Sequence, residues 1–146
     1  MDYMINPVMM GGLVKEVSAE QVKVHLHGRL GVVTVLRTLT DMPQKLEPGQ
    51  EMKFYFSYIQ VVDAPYDYDS AAMDPNMELI PSLLGGTIIE VNDTAAKVEI
   101  MEKMGTIAVP RRWIFTNVSL QEGQAVEFYM SPMKIVGKRD IPVESI

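Results

Sequence analysis

The strongest chemical constellation in the chain is Pro110-Arg111-Arg112-Trp113. Two guanidinium groups beside an indole can grip an anion through paired hydrogen bonds and can stack on a nucleobase. Arg37 stands at the matching place 74 residues earlier, with Leu39 where Trp113 would be. The plainer reading makes Trp113 a core or lid residue with the arginines solvated beside it. A second pair, His25-x-His27, puts two imidazoles on one strand face, about 7 Å apart at the strand rise. A metal needs at least one more ligand. The chain has 2 His and 0 Cys, so a solvated strand face is the expectation and no metal is assigned. The 12 methionines fall mostly at apolar-pattern positions such as Met52, Met101 and Met130, where they fill core gaps. No nucleophile elbow, phosphate loop or His-Glu-x-x-His motif is present. The expectation is a non-enzymatic protein without a cofactor.

These residues sit in a sequence that says most things twice. Pro7–Val62 falls on Pro81–Val136 without a gap at an offset of 74 residues. Gly11-Gly12 meets Gly85-Gly86, and Glu16-Val17 meets Glu90-Val91. Gly31, Val35 and Arg37 meet Gly105, Val109 and Arg111. Leu46-x-x-Gly49-Gln50 meets Leu120-x-x-Gly123-Gln124, and Phe54-Tyr55-x-Ser57 meets Phe128-Tyr129-x-Ser131. An internal duplication is the reading. It divides the chain into a first repeat over 1–62, an acidic linker over 63–80, and a second repeat with its tail over 81–146. Tyr55 and Tyr129 take the same outward place in both copies and are the candidates for packing between the repeats.

Each repeat predicts five short strands. In the first these are Leu13–Val17, Val22–His27, Gly31–Leu36, Met52–Ser57 and Ile59–Val62. Val22, Val24 and Leu26 alternate with Lys23, His25 and His27, the period of a half-buried strand. Thr38–Pro48 predicts a connector holding one short helical turn. The second repeat predicts Thr87–Val91, Ala96–Met101, Gly105–Val109, Val126–Ser131 and Met133–Val136. Five strands in about 55 residues suit a small barrel, whose closure removes exposed edges. The fold class is therefore all-β, as two tandem five-stranded OB-like or SH3-like barrels. Modules this small need each other or a partner copy to bury enough surface, so a homo-oligomer is a further expectation.

Charge narrows the partners. The net charge is −6, yet residues 7–62 hold six bases against five acids and residues 81–136 hold five against six. The linker 63–80 holds five acids and no base. Nearly neutral modules have no long-range field to gather DNA or anionic lipid. The absence of cysteine fits a reducing cytoplasm. No apolar run reaches the length of a membrane span, and Asp2 stands where an export signal would carry positive charge. The acidic, tyrosine-bearing linker is a candidate cover for the Arg111-Arg112 surface.

The run Gly-x-Val-x-x-Val, then a V-x-V-x-L strand, then Leu-x-x-Gly-Gln before strand four, resembles three kinds of small barrel. S1-type OB domains share the first mark and the glycine before strand four. Mop/TOBE molybdate-binding modules share those marks, the module length and tandem duplication. Sm/SH3-like barrels share the strand count and the tight step between strands four and five. Where a Mop module opens with Ser-Ala-Arg-Asn, this chain has Pro7-Val8-Met9-Met10-Gly11-Gly12. The resemblance implies a barrel fold over almost the whole chain. The functional expectation is a cytoplasmic binding or adaptor protein with a protein partner. The alternatives are single-stranded RNA bound by the second barrel through Arg111, Arg112 and Trp113, and a small molybdate-like oxyanion bound at the repeat interface.

Overall fold

The computed structural model describes residues 5–41, 45–71, 73 and 79–138. It is all-β. In chain order the strands are β1 Val8–Val17, β2 Gln21–Leu26, β3 Val32–Leu36, β4 Gln50–Phe56, β5 Ile59–Val61, β6 Ser82–Val91, β7 Ala95–Ile100, β8 Gly105–Pro110, β9 Ile114–Phe115, β10 Ala125–Met130 and β11 Lys134–Lys138. Single 3-10 turns lie at His27–Arg29, Arg37–Leu39, Met101–Lys103 and Arg111–Trp113. Period-two patterning explains the strands: β2 buries Val22, Val24 and Leu26, and β4 buries Met52, Phe54 and Phe56.

β1 begins at Val8, five residues before the expected start, and β6 begins at Ser82 rather than Thr87. Each of these strands pairs twice. The first half of β1 lies against β4 through Val8↔Phe56 to Leu13↔Glu51, and its second half lies against β2 through Gly12↔Leu26 to Val17↔Val22. The glycine pair Gly11-Gly12, just before the expected start at Leu13, is the hand-over point between two ladders. The connector after Arg111 also carries a strand not foreseen, β9, which runs parallel to β5.

The described strands join in the order β11-β4-β1-β2-β3-β8-β7-β6-β10-β5-β9. The pairings do not keep to the ranges 1–62 and 81–146. β5 pairs with β10 through Gln60↔Glu127 and Val61↔Val126. β11 pairs with β4 through Lys134↔Lys53 and Ile135↔Met52. Each half thus receives its fifth strand from the other. The physical reason lies at the step after strand four, where Ser57 and Ser131 carry the chain across instead of folding it back. Ser57 N–H donates to the Tyr129 carbonyl (3.1 Å) and Ser131 N–H to the Tyr55 carbonyl (3.0 Å). The Ser57 hydroxyl accepts from Tyr129 N–H (2.8 Å), and the Ser131 hydroxyl accepts from Tyr55 N–H (2.8 Å). Both serines are fully buried. An alanine at either place would strand a buried N–H, which is why a small hydroxyl residue suits both.

The 74-residue offset also relates the contacts. β3 meets β8 with Val33 opposite Ile107, and β4 meets β10 with Phe56 opposite Met130. In both pairs the partners are 74 residues apart in sequence. One core runs through both halves, with Phe56 touching Phe54, Phe128 and Trp113 at ring-centroid distances of 5.9, 5.9 and 6.2 Å. Ile5 is buried, as a lead-in packing on the fold requires, while Met4 and the tail beyond Lys138 lie outside the described residues.

Candidate functional site

Arg37 and Arg111 each open a 3-10 turn at the end of a strand. Arg37 Nη1 donates to the Ser18 carbonyl (3.0 Å) and Arg111 Nη1 to the Asn92 carbonyl (2.9 Å). Their backbone N–H groups donate to Glu20 and Thr94 carbonyls, at 2.9 and 3.1 Å. Each arginine therefore pins the turn between the first two strands of its own half. Arg112 is exposed beside Arg111. Trp113 faces inward: it is 8% exposed and its Nε1 donates to the Ser57 carbonyl at 2.9 Å. Tyr58 stacks on it at 4.0 Å and on Phe115 at 4.6 Å. The structure thus gathers Arg111, Arg112 and Trp113 on one turn, but the indole is spent on the core and on Tyr58. Arg37 belongs to the other half's turn.

Tyr55 and Tyr129 are half-buried, and their backbones form the crossing with Ser131 and Ser57. The tyrosine positions therefore lie at the junction of the halves. Among the described residues no group of three His, Cys, Asp or Glu side chains is placed to hold a metal. His27 lies against Gly11, and His25 lies across from Leu13 on β1. Partial burial, then Lys15 and Lys23, hold the His25 pKa below its ordinary value, with Glu16 opposing. The unfolded chain then binds that proton more readily than the folded one. Stability present above the ordinary histidine pKa is lost as pH falls through it. Urea midpoints at pH 7.5 and 5.5 are expected to show this fall, and His25→Gln is expected to shrink it.

The linker makes a site that the sequence does not announce. Its residues 65 to 70 lie on the second half, over β6 and β10, and among the described residues none lies on Arg111-Arg112. The Tyr68 ring rests on Gly85, where a Cβ would sit 2.3 Å from Tyr68 Cε2, so only glycine leaves room. The Tyr68 hydroxyl donates to Glu127 Oε2 (3.0 Å), and Gln60 Nε2 donates to Glu127 Oε1. Glu127 is 9% exposed, and these two donors satisfy a carboxylate that would otherwise be costly to bury. Burial raises the Tyr68 pKa, and the Glu127 carboxylate adds to the rise. Gly85 N–H donates to Met101 Sδ (3.3 Å), and Ser70 donates to the Glu102 carboxylate. Between this strap and the sheet lies an open cavity of about 660 Å³, lined by Pro65 to Tyr68, Gly85 to Thr87, and Glu99 to Lys103. Tyr68→Phe removes one donor from Glu127 and is expected to lower stability by about 1–2 kcal/mol, measured by urea unfolding. An unchanged midpoint would show that the phenol contact is not formed in solution.

The sequence did hold two faint signals of this site. Gly85 matches Gly11, which marks a close approach in both halves, and Glu127 falls where the first half has Lys53. Neither points to Tyr68, whose hydrogen-bond partner Glu127 is 59 residues away in the chain.

No family model and no curated protein matches the chain. Among solved structures it is similar to the cytoplasmic molybdate-binding protein ModG in a molybdate-bound crystal form, at 18% identity. The match covers 90% of this chain and 96% of that one, with a TM-score of 0.27. Among the described residues no helix is long and apolar enough to cross a membrane.

Proposed function

We propose that the chain is a non-enzymatic binding protein, a cytoplasmic adaptor whose sheet faces hold extended polypeptide segments. It consists of two duplicated five-stranded barrels, each completed by the other's fifth strand, with the acidic linker as its own first ligand. The observation that supports this reading is the seat on β6 and β10: a glycine under an aromatic ring, a buried carboxylate under its hydroxyl, and the segment 65–70 lying across them. Extended segments are recognised through pockets that take their alternate side chains, and the Tyr68 ring over Gly85 with its hydroxyl on Glu127 is one such seat.

The test empties the seat. Tyr68→Ala is expected to free the face, and a labelled peptide copying residues 63–73 is expected to bind that variant and not the parent protein. No binding to the variant, with its fold intact, would sink the reading. The RNA alternative needs Trp113 as a platform, and that ring is buried. The oxyanion alternative needs free donors at the repeat interface, where the Ser57 and Ser131 hydroxyls already donate to the Tyr58 and Pro132 carbonyls. Short single-stranded RNA, molybdate and sulfate are therefore expected to leave the Tm unmoved. A rise of several degrees with one of them would move the conclusion to that ligand.

A further inference from the structure

We infer that the outer face of β1, β4 and β11 is a second docking strip, for an extended acidic peptide of a partner protein carrying an aromatic residue two positions from an aspartate or glutamate. The inference rests on the binding-protein reading and names a partner for the face that corresponds, in the first half, to the one under residues 65 to 70. The two faces correspond residue by residue. Gly11 lies opposite Lys53 on β1 and β4, as Gly85 lies opposite Glu127 on β6 and β10. Lys53 lies opposite Lys134 on β11, as Glu127 lies opposite Gln60 on β5. Met9 lies opposite Tyr55, as Leu83 lies opposite Tyr129.

The differences between the faces say what the first one takes. On the second, one carboxylate is satisfied from within by Tyr68 and Gln60. On the first, two lysines from different halves stand directly opposite each other, and both are exposed. Like charges on directly opposed strand positions repel, and an anion set between them turns that repulsion into attraction. Above Gly11 the place of Tyr68 is taken by His27, whose Cδ2 would lie 2.9 Å from an added Cβ. An incoming ring is therefore displaced along the strand to the next outward pair, Met9 and Tyr55. Met9 is 46% exposed there and Tyr55 is half-buried. The pairs Met9–Tyr55 and Gly11–Lys53 are two residues apart on β4, about 6.8 Å. An extended ligand repeats its own facing side chains at the same interval, which gives the aromatic-x-acidic order. Glu51 stands two residues before Lys53 on the same face of β4, so the Lys53–Lys134 pair alone is complementary to one acidic residue of such a segment, whereas the Glu127 side of the other face is not.

The experiment uses the full chain and a fluorescein-labelled peptide of sequence Thr-Tyr-Thr-Asp-Thr-Thr, read by anisotropy, with amide chemical shifts to locate it. Binding is expected, weakened roughly tenfold by the pair Lys53→Glu and Lys134→Glu and likewise by replacing the peptide's aspartate with asparagine. The shifts are expected at Met9, Gly11, Lys53 and Lys134. Absence of binding to the full chain overturns the inference, as does binding indifferent to the lysine pair. Binding that appears only after deletion of residues 139–146 overturns it too, because the occupant is then the chain's own tail. Binding that appears only in Tyr68→Ala, with shifts at Gly85 and Glu127, upholds the linker seat and overturns the second strip. Single-stranded RNA that competes for the same lysines with higher affinity overturns the choice of a peptide partner.

Discussion

Alanine at Gly31, or at Gly105, is expected to lower stability by about 4 kcal/mol, enough to take roughly 10 °C off the Tm. These two glycines lie where the halves meet along β3 and β8. A Cβ on Gly31 would stand 1.9 Å from the Ala108 carbonyl oxygen, and one on Gly105 would stand 2.0 Å from that of Thr34. The obstacle is backbone on both sides, so no side-chain rotation relieves it. Gly31 also has φ +111° and Gly105 φ +149°, conformations that L residues resist. The ladder Val32↔Ala108 to Val35↔Gly105 has to open for alanine to fit. Gly123→Ala separates the two causes. It shares a positive φ, +91°, but nothing lies within 4 Å of its added Cβ. It is expected to cost only about 1–2 kcal/mol. Urea unfolding of the three variants checks the ranking, and equal losses would show that the halves do not meet through β3 and β8.

Trp113→Ala is expected to cost about 4 kcal/mol by the same measurement. The indole fills the junction between Phe56 and Tyr58, and its Nε1 is a donor to the Ser57 carbonyl. Alanine leaves a cavity, unstacks Tyr58 and leaves a buried carbonyl without that donor. Trp113→Phe keeps a ring and loses the donor, so about 1–2 kcal/mol is expected. Arg112→Ala, on the exposed neighbour, is expected to stay within about 0.5 kcal/mol. A Trp113→Ala variant as stable as the parent would return the indole to the list of binding residues.

The strands were legible because their chemistry is local. Val22, Val24 and Leu26 show a buried face within six residues, and Met52, Phe54 and Phe56 do the same. The partner of each fifth strand was not legible. The two halves share one apolar pattern and so offer similar edges, and Ile59–Val61 fits β4 or β10 equally well by pattern. What decides is the course of the chain at Ser57 and Ser131, and a serine in sequence says nothing about direction. In Arg111-Arg112-Trp113 the residue types were legible and their orientation was not. An arginine that pins a turn carbonyl and a tryptophan that closes a core use the same residues as a nucleobase site. The linker seat stayed hidden because its parts, Gln60, Tyr68, Gly85 and Glu127, are separated by strands that only the fold brings side by side.

The exchange of fifth strands also sets a clock. β4 ends at Phe56, but the strand that covers its edge, β11, ends at Lys138. At ordinary translation speeds the chain between them takes roughly 4–16 s to make. During that time the first half waits with an open edge, ready to pair with another nascent chain. The second half has no such wait, because β5 is already made when β10 appears. The half that is synthesised first is therefore finished last, and the order of the gene, more than the stability of either half, decides when this protein is safe from its own copies.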